Sequence, residues 1–184
     1  MEESEFVSVF EEVAREVIGE KAIVKRGANL FYQLYLNRSL DLAVPDTRSP
    51  KRGSSAFQTD ICIFELLNGV EFPRVAIEFK RKITTHDILT YSAKAGKHKK
   101  IYPCLRYGLL ASELASIPRR FFIHNENIDF FIAAKKYGIE AEIKQFAKKL
   151  IEKELEISRI LEQIHFDSRE VDYYRTDIIF GTFE

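Results

Sequence analysis

The stretch from Phe57 to Lys82 limits the fold more than any other part of the chain. Two runs rich in β-branched and aromatic residues, Phe57 to Leu67 and Val70 to Lys82, are joined by Asn68-Gly69. That dipeptide tolerates the positive φ angles of a two-residue hairpin turn, so the runs read as antiparallel neighbours in a sheet. Pro73 lies near the start of the returning strand, where a missing donor is tolerated. Side chains alternate along a strand. Val75, Ile77 and Phe79 therefore share one face, and Ala76, Glu78 and Lys80 the other. On the outgoing strand Ile61 and Ile63 point one way and Gln58, Asp60 and Cys62 the other. Pairing of the two strands can set Asp60 beside Glu78 and Lys80 on one face.

The rest of the chain supplies partners for this hairpin. Phe6, Val9, Phe10, Val13 and Val17 recur at helical spacing, which predicts an amphipathic helix over 3–18 stopped by Gly19. Ala22 to Lys25 reads as a strand; Leu30 to Leu36 suits a strand or a helix. Residues 45–55, with Pro45, Pro50, Gly53, Ser54, Arg48, Lys51 and Arg52, form a polar, basic loop. Thr84 or Thr85 can cap a helix running to about Lys100. Pro103 to Ser112 reads as a strand, and Phe121 to Ile123 and Ile128 to Ala133 as short apolar segments. From Glu140 to about His165 there is no Gly or Pro, and Ile143, Leu150, Ile157 and Ile164 fall seven apart, with Glu154 interrupting the seam. This long amphipathic helix either folds onto its own domain or serves as a packing arm or dimer contact. Asp167 to Glu184 is an acidic, aromatic tail with one strand candidate, Asp177 to Phe180. The predicted fold is α/β, a mixed central β-sheet flanked by helices with a long C-terminal helix. Residues 1–137 form its core; 138–184 form a helical arm and tail packed on the core or extending from it.

Composition narrows the function classes. A chain of 184 residues, 46% hydrophobic and 30% charged, suits one compact domain with a buried core. Seven Glu and one Arg in the first twenty residues are the opposite of a basic secretory leader, and no apolar run reaches the length of a membrane span. Cys62 and Cys104 sit in apolar runs without metal-ligand spacing, so they read as buried reduced thiols of a cytoplasmic protein. A net charge of zero argues against a simple basic nucleic-acid coat. Yet Lys80, Arg81, Lys82, Lys94, Lys97, Lys99 and Lys100 face only Asp87 within 80–100. Such a stripe can contact phosphates, and it equally suits a solvated helix end. There is no phosphate-binding Gly loop, nucleophile elbow or zinc spacing.

Two carboxylates close together in a partly dry site repel each other unless a cation joins them. A hard divalent ion suits their oxygens, and a nearby lysine can orient water or neutralise a phosphate. Asp60 at the start of the hairpin, followed by Glu78-Phe79-Lys80 on the next strand, resembles the PD-(D/E)xK nuclease superfamily, which includes restriction endonucleases and archaeal Holliday-junction resolvases. The resemblance spans roughly residues 5–133, and Thr59 precedes Asp60 where Pro stands in the motif. It implies a restriction endonuclease-like fold, Mg²⁺ (or Mn²⁺ as a substitute) held by Asp60 and Glu78, and Lys80 assisting the attacking water. It also implies a Glu from the first helix, with Glu11, Glu12 and Glu16 as alternatives. The implied function is Mg²⁺-dependent DNA cleavage, of restriction type and therefore by a homodimer. The alternatives are a structure-specific recombination or repair nuclease, a non-catalytic DNA-binding module, and a protein-interaction domain centred on the long helix. Lys94, Lys97, Lys99 and Lys100 are the expected phosphate contacts. His86, Asp87 and His98 suit either DNA contact or capping and surface roles, and His124 with Asp129 is a weaker pattern for a second metal site.

Overall fold

A computed structural model of the chain covers residues 3–19, 22–44, 46–53, 55–137 and 140–178 as its described portion. Five strands, β1 (Ala22–Phe31), β2 (Ala56–Leu67), β3 (Val70–Lys80), β4 (Arg106–Ala111) and β5 (Phe130–Ala133), form one sheet in chain order. β1, β2 and β3 pair antiparallel, and β4 and β5 continue parallel to β3. Helices α1 (Glu3–Ile18) and α4 (Glu140–Phe166) cover one face; α2 (Thr85–Lys99) and α3 (Arg119–His124) cover the other. This is the predicted mixed sheet flanked by helices, with the long helix at the end.

The hairpin forms as its sequence requires. Asn68 and Gly69 both take positive φ, 51° and 77°, as a tight turn matched to the strand twist demands. Ile61, Ile63, Val75, Ile77 and Phe79 pack under Phe6, Phe10 and Val13 of α1, while Cys62 and Ala76 lie on the opposite side beneath Ile88 and Ala95 of α2. The register slips between Ile63↔Val75 and Phe64↔Pro73, leaving Arg74 as the extra residue of a bulge. Pro73 therefore sits at an irregularity rather than in the regular ladder.

Several elements depart from the expectations. Ala22 to Lys25 and the start of Leu30 to Leu36 join into one strand, β1, which ends at Phe31. β4 begins at Arg106 rather than Pro103, because a turn bond from Leu105 N–H to Tyr102 C=O precedes it. Phe121 to Ile123 is the body of a short helix. Thr84 is the N-cap of α2, and its side chain and that of Asp87 satisfy each other's backbone N–H in a capping box. Pro45, Ser54 and Gly138 lie outside the described residues. So do Ile179 and Phe180 of the strand candidate in the tail; Asp177 and Ile178 are not in a strand.

α4 lies on its own domain. Its buried residues, Ile143, Phe146, Ala147, Leu150, Ile151, Leu155 and Ser158, follow a spacing of three and four rather than seven, so the stripe meets a globular core and not a coiled-coil seam. Glu154 is buried within that stripe and is answered by Arg106 at 2.7 Å. Further along, Arg74 pairs with Glu65 at 2.7 Å and Glu162 at 2.5 Å, and Arg159 reaches Glu65 at 2.9 Å. Cys62 and Cys104 are buried free thiols. Among the described residues no helix is long and apolar enough to cross a membrane.

Candidate active site

Pairing between β2 and β3 ends at Ile61↔Ile77. One step further along the strands come Asp60, which borders a hollow that α1 reaches, and Glu78, which α2 reaches. Their strands no longer share a rung, so the Phe79 N–H would lack an acceptor, and the Asp60 Oδ2 takes it at 2.8 Å. A side chain thus replaces a backbone acceptor where the ladder stops. On the other flank the β1–β2 ladder passes from Arg26↔Ile61 to Ala28↔Thr59, and Gly27 falls opposite Asp60 with φ +61°. A Cβ at Gly27 would come within 2.7 Å of the Gln58 side chain, which donates to the Gly27 carbonyl at 3.0 Å. Beside Asp60 lies an open hollow of about 530 Å³, lined by Ser4, Val7, Arg26, Gly27, Gln58 and Thr59.

Glu78 is almost fully enclosed, at 2% exposure. Lys94, projecting from α2, donates to its Oε1 at 2.5 Å and to the Gln58 carbonyl at 2.5 Å. The Tyr107 hydroxyl donates to the same Oε1. Burial pushes the Glu78 carboxyl above its ordinary range; Lys94 opposes this, and the nearby Asp60 adds to it. Burial and Glu78 hold the Tyr107 hydroxyl well above its usual value, so it remains a donor. Lys80 shares the face of Glu78. Its Nζ lies 5.7 Å from the Tyr91 ring centre, with Lys94 at 5.9 Å from the same ring. The Tyr91 hydroxyl is pushed up to about 12, chiefly by burial and then by Glu78.

The other sequence-derived candidates fall in different places. Lys94 points inward to Glu78. Lys97 is exposed and lies over the Tyr32 and Phe57 rings at 5.3 and 5.7 Å. Lys99 is bound to Asp129 at 2.6 Å, and Lys100 is exposed. Glu11 is held by Arg15 and Arg26, Glu12 by Lys144, and Glu16 faces solvent. None of these three lines the hollow beside Asp60, which α1 reaches through Ser4 and Val7. Asp87 is a cap. His98 is buried, with Nδ1 2.7 Å from the Phe31 carbonyl. Asp129 is engaged by Lys99, Arg106 and the Tyr107 N–H, away from any partnership with His124.

Tyr91, Lys94, Tyr107 and Gly27 are parts of this arrangement that the sequence reading did not assign to it. For Lys94 a signal existed: Ile88, Ser92 and Ala95 form the buried face of α2, and Tyr91 and Lys94 flank that face. For Tyr107, inside an apolar run, there was none.

Among the described residues no group of three or more His, Cys, Asp and Glu side chains gathers as a protein-only metal cage. Mg²⁺ does not need one, since it keeps several waters and is held by one or two carboxylates. Asp60 and Glu78 supply hard oxygens from facing positions, each with one oxygen already fixed by protein donors, so the donor set fits such an ion. The sequence matches no family model and no curated protein.

Proposed function

We propose that this protein is a metal-dependent DNA endonuclease acting through Asp60, Glu78 and Lys80. The observation that carries the reading is the pair of facing carboxylates at the point where β2 and β3 separate, with a lysine from β3 and another from α2 beside them. Asp60 and Glu78 would hold Mg²⁺ or Mn²⁺. When bound, such an ion stabilises charge developing on a phosphodiester and acidifies water. Lys80 orients the attacking water or neutralises the phosphate, a role that suits a lysine half-buried beside Tyr91. Lys94 and Tyr107 fix the rotation of Glu78 by holding its Oε1.

A restriction-type enzyme remains the first form of this proposal, because the exposed basic loop carrying Arg48, Lys51 and Arg52 lies close to the site, with Arg52 3.5 Å from Gln58. Cutting both strands of a duplex then calls for a homodimer. A structure-specific nuclease is the second form, favoured by the half-buried Tyr32 and Phe57 rings beneath Lys97 of α2. Incubation of supercoiled plasmid with the protein and Mg²⁺, followed by mapping of the ends, tests the proposal. Mg²⁺-dependent nicks that vanish in Glu78→Gln are expected. Wild-type protein that leaves the plasmid intact, or Glu78→Gln that cuts as fast as wild type, refutes it.

A further inference from the structure

Tyr32 and Phe57 lie where β1 leaves the sheet and β2 enters it. They are diagonal neighbours across the two strands, stacked at 4.1 Å between ring centres with 19° between planes. Both are half-buried, and the exposed Lys97 ammonium stands over both rings. His98 backs Phe57 edge-on at 6.0 Å and stacks on Tyr107 at 5.9 Å. The pair therefore rests on the same support that holds Glu78. Toward the carboxylates follow Lys94, bound to the carbonyl of Gln58, and Tyr91, with Lys80 beyond it. Along α2, Tyr91, Lys94 and Lys97 recur every three residues, so they follow one another over about 9 Å of helix.

We infer that this line of alternating rings and ammonium groups, from Tyr32 and Phe57 past Lys97 to Tyr91, is a binding track for an unpaired DNA strand that leads to Asp60 and Glu78. The inference rests on reading the carboxylate site as DNA-cleaving, and it favours the structure-specific form of that reading over the restriction-type form. Surfaces that hold single strands combine aromatic faces, on which any base can stack, with cations spaced along the backbone. A duplex hides its base faces and offers phosphates alone, so it would use the cations but not the rings. Lys97 is the cation best placed for a phosphate, being exposed and lying over the Tyr32 and Phe57 rings. Lys94 has two acceptors already and stays with Glu78.

Fluorescence anisotropy in EDTA, with labelled oligo(dT) and a labelled duplex of equal length, separates these cases without cleavage. Tyr32→Leu is expected to weaken oligo(dT) binding roughly 5- to 150-fold, the size of one lost base–aromatic stack, and to leave duplex binding unchanged. Tyr32→Trp, which keeps a stacking face, should bind oligo(dT) close to wild type. Lys97→Met should lower the salt slope for oligo(dT) by about 0.7. Melting temperatures of the variants monitor their folding. The track is overturned if Tyr32→Leu binds oligo(dT) as tightly as wild type, or if it loses single-strand and duplex binding alike. Wild type that cuts DNA while Tyr32→Leu keeps full oligo(dT) affinity refutes the track alone. Wild type that binds oligo(dT) through Tyr32 but never cuts in Mg²⁺ refutes the nuclease reading and leaves the track standing as a binding site.

Discussion

Asp60 has two separable roles, and two substitutions pull them apart. Its charge belongs to the carboxylate pair, whereas its Oδ2 accepts the N–H of Phe79, whose side chain is 1% exposed. Asp60→Asn removes the charge and keeps an oxygen that can accept this bond. Asp60→Ala removes both and leaves a backbone donor without an acceptor in a poorly solvated position, which costs about 1–3 kcal/mol. Both variants relieve the repulsion with Glu78 to the same extent, so the difference between them isolates the hydrogen bond. Urea unfolding should therefore place Asp60→Ala about 1–3 kcal/mol below Asp60→Asn. Single-turnover cleavage should fall in both by more than about 100-fold, the upper end of what losing even an outer partner of a metal ligand costs. Mg²⁺ at about 100 times its dissociation constant should stabilise wild type by about 2.7 kcal/mol and neither variant to that extent. Equal stability of the two variants would show that the bond to Phe79 contributes nothing. Asp60→Asn that cuts at the wild-type rate would remove Asp60 from the site.

Four further outcomes follow from the geometry. Lys80→Met should slow cleavage by a factor on the order of 10²–10⁴ in single-turnover assays at saturating Mg²⁺, with Mn²⁺ affinity retained. Lys94→Met should slow it about 10- to 100-fold through Glu78, and a duplex-binding salt slope that also drops by about one unit would mean that Lys94 contacts phosphate instead. Thr84→Ala breaks the capping box and should cost about 1 kcal/mol, or about 2–4 °C in Tm for a domain of this size, with little change in cleavage because Lys94 lies well along α2. Burial holds the His98 imidazole down to about 4 from 6.5 in the folded state, so unfolding takes up a proton between these values. Its contribution is complete above about pH 6.5 and is lost as pH falls toward about 4, amounting to at most roughly 3 kcal/mol. Urea unfolding near pH 7 and near pH 5 should show a smaller loss in His98→Gln than in wild type.

The hairpin was legible because two independent signals agreed: Asn68-Gly69 located the turn, and strict alternation assigned the faces. The same alternation is what led to expecting Asp60, Glu78 and Lys80 on one face; Glu78 meets Lys94 of α2, whereas Asp60 borders the hollow that Ser4 and Val7 of α1 line. The ends of α1, α2 and α4 were legible for a similar reason, since a Gly stop, a Thr cap and a run free of Gly and Pro are local signals. The joining of β1 was not, because Gly27 with φ +61° lets a strand continue through what reads as a break. α3 offered only three adjacent apolar residues, too few to reveal a period. Lys94 was placed among the surface lysines because composition does not say where a four-carbon stem ends. Its stem can cross an apolar boundary and deliver the charge to Glu78. His98 looked like part of a basic run, yet its ring is enclosed between Phe57 and Tyr107. In both cases the deciding contacts come from strands more than fifteen residues away in the chain.

The sheet's strand order repeats the order of synthesis, β1 to β5. Each strand emerging from a ribosome finds its neighbour already made, and none must wait for a later one to enter between them. The exception is the layer that α4 closes, since Ile143, Phe146 and Leu150 cover a face shared with Phe10, Ile61 and Ile77. Between the end of β5 at Ala133 and the end of α4 at Phe166, translation at about 5–20 residues per second leaves the part of that face not covered by α1 open for about 2–7 s. A nascent chain at this stage has its carboxylate hairpin paired while the part of the sheet that α4 will cover remains open to chaperones or to other unfinished chains.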